Sequence, residues 1–282
     1  MDKSRFRAYK LGAAIEKERM AKSAPLDAEA LGRVEASDVI VVTGAYDHVE
    51  LVLEALEVPF QVVGPGQLAK LKLRPSQLVV VNCPGMGLDR TLPKLREFVA
   101  DGGSLFTTDW ALRHVIEPAF PGVLAFNEKP THDDVVRIEI HDRKNSFLNG
   151  VMDGADDPQW WLEASSYPIR ILAPERVEIL LSSAELKDRY GEAPVAVLFK
   201  YGQGEVFHMI SHYYLQRTDL RESRHKLNAL SYATEKGVSL GADARLELSS
   251  LKLGDVESAA SSARLMANML AAKKRRGQIK SE

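Results

Sequence analysis

Cys83, Asp109 and His212 each follow a short apolar run, where a buried strand of an α/β sheet delivers its next side chains to a cleft. A carboxylate and an imidazole that meet there can pass a proton between them. A thiol acts as a nucleophile only as the thiolate. His212 closes the run Y-G-Q-G-E-V-F-H-M-I-S-H (201–212), in which Gly202, Gln203 and Gly204 turn one apolar strand into the next. Glycine on both sides of that turn supplies the positive φ of a tight hairpin. Cys83 is followed by Pro84, which has no N–H to offer a thiolate, and no helix begins directly behind it. It reads as a small, half-buried apolar filler rather than the nucleophile of a hydrolase. The bland reading of the other two is favoured as well: Asp109 caps the following helix, and His212 bonds a backbone carbonyl.

The same strand ends supply the remaining candidates for a ligand site: Gly44, Tyr46 and Asp47 after the first strand, Asn82 and Cys83 after the third, Trp110 after the fourth. Gly44 belongs to any strand-to-helix turn, and no G-x-G-x-x-G or P-loop pattern is present, so no cofactor is expected. His132 and His141 stand at opposite ends of one strand. His208 and His212 are four apart on another, which is ~13 Å in extended chain. Neither pair can share an ion, so no metal is expected. Trp160-Trp161 offers an aromatic wall for a sugar, but neighbours on a strand point to opposite sides and structural roles are favoured.

Residues 1–37 form a charged, helical N-terminal extension with Phe6, Tyr9, Ala13 and Ile15 at helical spacing. From residue 38 the rhythm becomes strand then helix: strands at 39–42, 59–63, 78–81 and 105–108, with Asp47 placed to cap a helix ending near residue 56. A helix with Leu92, Leu95, Phe98 and Val99 on one face precedes the fourth strand. Further strands are read at 135–140 (V-V-R-I-E-I), 177–181, 195–199 and 206–210, and a helix at 218–235. Residues 238–282 form a C-terminal extension: an alternating piece (L-E-L-S-S-L-K-L), then a helix carrying Val256, Ala260, Ala263, Met266 and Leu270 and ending in Lys273, Lys274, Arg275 and Arg276. Its apolar face suits docking on a partner helix or on the domain itself, and nucleic acid is the less favoured partner.

The chain has 282 residues, 45% hydrophobic and 27% charged, with a net charge of −2. That is enough apolar matter for one large core, and it brings no field that would draw in nucleic acid or membrane. A single cysteine excludes an internal disulfide, and the charged N-terminus has no apolar run behind it. A cytoplasmic protein is expected.

The runs L-V-V-V-N-C-P-G and F-V-A-D-G-G-S-L-F-T-T-D resemble the class I glutamine amidotransferase-like superfamily. V-E-I-L-L-S-S followed by A-P-V-A-V-L-F-K-Y-G-Q-G-E-V-F-H-M-I-S-H looks like its ThuA-like, trehalose-utilisation-type branch. The resemblance covers roughly residues 38–237 and implies a flavodoxin-like, doubly wound, mostly parallel α/β sheet. It also implies a nucleophilic cysteine on an elbow after the fourth strand, where this chain reads T-T-D-W-A. There is no cysteine there, and Trp110 is too bulky for a tight elbow. In the ThuA-like branch a histidine closes that strand, and Asp109 takes its place. His212 lies where the fold keeps a catalytic histidine. The expectation is a non-catalytic member that binds or scaffolds through a protein partner, by way of its extensions, or through a small ligand. The alternative is a ThuA-like enzyme on a sugar-related molecule, with Asp109 and His212 as its acid–base pair.

Overall fold

The alternation that begins at residue 38 builds one eight-stranded sheet in the computed structural model, which describes residues 3–279. The first two residues of the N-terminal extension and the last three of the C-terminal one, 280–282, lie outside the described residues. The strands are β1 Val39–Val42, β2 Gln61–Val63, β3 Leu78–Val81, β4 Ser104–Thr108, β5 Leu124–Phe126, β6 Asp134–Arg137, β7 Glu139–Ile140, β8 Gln159–Leu162, β9 Ile169–Ile171, β10 Val177–Ser182, β11 Pro194–Tyr201 and β12 Gly204–Met209. The helices are α1 Lys3–Ser23, α2 Pro25–Gly32, α3 Val49–Ala55, α4 Pro65–Leu68, α5 Leu92–Ala100, α6 Glu117–Ala119, α7 Ala184–Tyr190, α8 Leu230–Glu235, α9 Ala242–Ser249 and α10 Leu253–Ile279.

The sheet runs β2-β1-β3-β4-β12-β11-β10-β7, parallel from β2 to β12 and antiparallel beyond. β1, β3 and β4 are buried along their whole length, which is why β1 and β3 read as continuous apolar runs rather than alternating ones. The doubly wound, mostly parallel architecture is as expected. In the hairpin, Gly202 takes a φ of +59°. Gly204 does not, but a Cβ there would lie 2.2 Å from the Gly103 and Val99 carbonyl oxygens, so close approach fixes that glycine instead.

α1, α2, α3 and α10 pack on one another. Val256, Ala260, Ala263, Met266 and Leu270 are all buried, so the apolar face of α10 is spent on this chain's own helices. The basic end of α10 is equally engaged. Lys273 donates to the Pro75 and Gly102 carbonyls, and Lys274 pairs with Asp38, Arg275 with Asp27 and Arg276 with Glu205. Among the described residues no helix is long and apolar enough to cross a membrane.

Four local expectations are corrected. Residues 135–140 do not form one strand: β6 pairs with β8 in a separate ladder, and β7 pairs with β10 in the main sheet. The helix read at 218–235 shrinks to α8. Ahead of it, the Asp219 N–H donates to Gln159, Leu227 takes the Leu253 N–H, and Arg221 and Arg224 reach Glu185 and Glu257, so tertiary partners override helix propensity. The alternating L-E-L-S-S-L-K-L is largely helical. Leu248 and Leu251, three apart, are buried, while Leu246 is 73% exposed. Asp47 caps no helix. Asn82 reaches across from the end of β3 to accept the Val49 N–H of α3 and donates to Glu50.

Candidate functional site

Register delivers the site. Thr108 pairs with Met209 and Val81 with Thr107, so β3, β4 and β12 end side by side and place Cys83, Asp109 and His212 together. One oxygen or nitrogen of Asp109 and His212 and the Cys83 sulfur all lie within 4.8 Å of one another. The Cys83 thiol donates to Asp109 Oδ2 at 3.8 Å, and His212 Nε2 stands 3.8 Å from that same oxygen. All three residues are buried, at 1–2% exposure.

Asp109 carries a φ of +47°, a left-handed backbone that a non-glycine residue adopts at a cost of about 1–3 kcal/mol. The sharp elbow that Trp110 seemed too bulky to allow is therefore formed. The indole points away from the turn, lies between Tyr46 and Tyr167, and donates its Nε1–H to the Ser165 carbonyl at 2.7 Å. Ser165 and Ser211, also left-handed, adjoin the same cluster. A π-helical stretch, Leu112–Ile116, follows the elbow before α6.

Neither bland reading of the pair holds. The Asp109 carboxylate caps no helix. It accepts the Tyr167 N–H on Oδ1 at 2.8 Å and the Ser166 hydroxyl on Oδ2 at 3.2 Å. His212 faces a carboxylate rather than a carbonyl: its Nδ1 lies 2.5 Å from Glu163 Oε2, an ion-pair contact that departs from a straight hydrogen bond. Glu163 is held by its own N–H, which donates to Ser211 Oγ at 2.8 Å, and its side chain is 38% exposed. Asp47 accepts the N–H groups of Tyr213 and Tyr214 and so fixes the chain just beyond His212.

Burial pushes the Asp109 carboxyl up to about 6, against the lowering effects of His212 and the Tyr167 N–H. Burial pulls the His212 imidazole down, but the Glu163 carboxylate against Nδ1 and the charges of Asp47 and Asp109 outweigh it, and the net direction is up. The Cys83 thiol is driven far up by burial and then by the Asp109 charge, so it is protonated. It is fully buried rather than half-buried, and the backbone N–H of Trp110 on the neighbouring elbow offsets the rise only in part.

The other expected residues sit around this cluster. Gly44 packs so close to Cys83 that a Cβ would lie 2.0 Å from its carbonyl oxygen, which accepts the Ala45 and Tyr46 N–H groups. Asn82 serves α3. Tyr46, 48% exposed, meets Trp110 edge-on at 5.5 Å, and Trp110 stacks on Tyr167 at 5.4 Å. These three rings form the aromatic surface at the site. Trp160 and Trp161 do not form it: both are buried, Trp160 donating to the Ile210 carbonyl and Trp161 lying edge-on to His212 at 5.9 Å. His132 and His141 stay outside the cluster, and His208 is buried against Thr107.

Glu163, Ser166 and Tyr167 were not singled out by sequence. They follow β8, which pairs only with β6 in its own ladder, so no strand rhythm points them at the main sheet. The one signal was Glu163 itself, a carboxylate directly after the W-W-L run.

No family model matches the chain, and no curated protein matches it. A glutamine amidotransferase from Thermotoga maritima aligns with 86% of this chain and 98% of its own at 11% identity and a TM-score of 0.49. A putative ThuA-like protein from Bacteroides uniformis aligns with 63% and 81% at 10% identity and 0.42. Gan42B, a GH42 β-galactosidase from G. stearothermophilus, aligns with 61% at 15% identity and 0.41, and the chain spans only 27% of its length. Likenesses this distant say nothing of activity or substrate.

Proposed function

We propose that this chain is a non-catalytic, amidotransferase-like protein that binds a small ligand at the carboxyl ends of β3, β4 and β12. One observation carries the reading. The elbow after β4 holds a carboxylate that is 2% exposed and already engaged on both oxygens by Tyr167 and Ser166. A nucleophile must be presented to its substrate, and this one is tied down beneath neighbouring side chains. The cavities of about 370 and 660 Å³ lie at the other end of the sheet, around Glu205 and Arg276. A ligand at the strand ends is preferred to a partner on the terminal helices, because α1 and α10 bury their apolar positions in each other and in the domain.

A second reading has its own support. His212 lies 3.8 Å from Asp109, which sits on the strained elbow, and 2.5 Å from Glu163, which suits an acid–base pair acting on a sugar-related molecule against the rings of Tyr46, Trp110 and Tyr167. Turnover separates the two. The wild-type chain, Asp109→Asn and His212→Gln are assayed on glutamine and on p-nitrophenyl esters and glycosides. The binding reading expects no turnover above that of the variants. Wild-type turnover that falls about 10²-fold or more in both variants overturns it in favour of the acid–base enzyme.

A further inference from the structure

We propose that Cys83 Sγ, Asp109 Oδ2 and His212 Nε2 form a binding site for a divalent transition-metal ion, with zinc as the best match. The inference rests on the reading of the strand ends as a ligand site and departs from the expectation of no metal, which weighed only pairs of histidines.

The geometry carries it. In a tetrahedral zinc site with Zn–S ~2.3 Å and Zn–N and Zn–O ~2.0 Å, donor atoms stand ~3.3–3.5 Å apart. Here Oδ2 is 3.8 Å from Sγ and 3.8 Å from Nε2, and all three donors fall within 4.8 Å, so modest side-chain shifts close the triangle. His212 is buried, and its Nε2 stands 3.8 Å from Asp109 Oδ2, too far for a hydrogen bond between them and close enough for both to bind one ion. Its other nitrogen faces Glu163, the carboxylate–histidine arrangement that orients a metal-ligating imidazole. Asp109 is likewise steadied by the Tyr167 N–H on the oxygen that does not face the cluster.

The donor set selects the ion. A thiolate and an imidazole favour zinc over magnesium or calcium, which take oxygen ligands. Binding releases the thiol proton, and one thiolate, one carboxylate and one neutral imidazole balance a double positive charge in a place where an unpaired charge is costly. Three protein donors leave a fourth position to water. A bare ion also suits a closed cluster better than a sugar does.

The full chain is stripped with a chelator and titrated with Co²⁺ and, by competition with a chromophoric chelator, with Zn²⁺. One equivalent is expected to bind, with a thiolate-to-cobalt charge-transfer band that Cys83→Ser abolishes. Glu163→Gln is expected to weaken zinc about 10–100-fold while keeping the band. Absence of stoichiometric binding, or a band that survives in Cys83→Ser, overturns the site. If Cys83→Ser does not fold, thiol labelling of the wild type decides: zinc must slow modification of Cys83, and an unchanged rate overturns the proposal. Repeating the turnover assay with zinc keeps the two readings apart. Zinc-dependent turnover keeps the metal site and overturns the non-catalytic reading. Failure to bind zinc overturns only the metal site.

Discussion

Glu16 of α1 and Arg264 of α10 are both almost wholly buried, with Arg264 Nη1 3.5 Å from Glu16 Oε2 and Arg19 closing the other oxygen at 2.6 Å. Removing one partner leaves a buried charge uncompensated, whereas removing both with apolar groups costs little. Glu16→Ala should therefore destabilise the chain by about 3–5 kcal/mol in urea unfolding, and Glu16→Leu with Arg264→Met should recover most of that loss. A single variant as stable as the wild type would refute this account. Such a pair illustrates what sequence hides: a Glu on a charged helix looks solvated until a helix some 250 residues away covers it. The strand-end residues were legible for the opposite reason. Cys83, Asp109 and His212 each close an apolar run of countable length, so their level in the sheet follows from the run. Glu163, Ser166 and Tyr167 arrive on a loop, and loops carry no period to read.

At the scale of elements, α10 is fastened at both ends of its length by different physics. Along its body small residues let backbones approach: a Cβ on Gly12 of α1 would stand 2.9 Å from the Ala260 nitrogen. At its end Arg276 forks onto Glu205, which Lys200 also holds. Burial pushes the Glu205 carboxyl up, but Arg276 and then Lys200 outweigh it and bring it down to about 2 from an ordinary 4.5. A depressed carboxylate stabilises the fold above its unfolded value, and that stabilisation is lost as pH falls through the folded one. The gap in unfolding free energy between wild type and Arg276→Gln should thus be on the order of 2 kcal/mol at neutral pH, allowing for the half-exposed guanidinium, and should close between about pH 4.5 and 2. A gap that persists at pH 2 would point to packing rather than charge. The basic run was visible in the sequence, as was the helix. Its target was not, because Asp27, Asp38, Pro75, Gly102 and Glu205 come from five separate places in the chain.

For the whole molecule, the apolar core is continuous from Ala8 of α1 through the sheet to Ala271 of α10. The terminal helices, read as docking on the domain or on a partner, are part of the domain's interior packing. Removal of residues 253–282 should leave a chain that has lost its near-ultraviolet circular dichroism and binds ANS. A truncated chain with the wild-type spectrum would show instead that the sheet is self-sufficient. The contact between α1 and α10 also has a meaning in time. A ribosome adding about 5–20 residues per second makes α1 roughly 12–50 s before α10. Through that interval Tyr9, Ala13 and Ile15 have no final shelter, so a helix made early is among the last to be housed. A nascent chain of this protein must keep the apolar face of α1 from aggregating until α10 emerges to cover it.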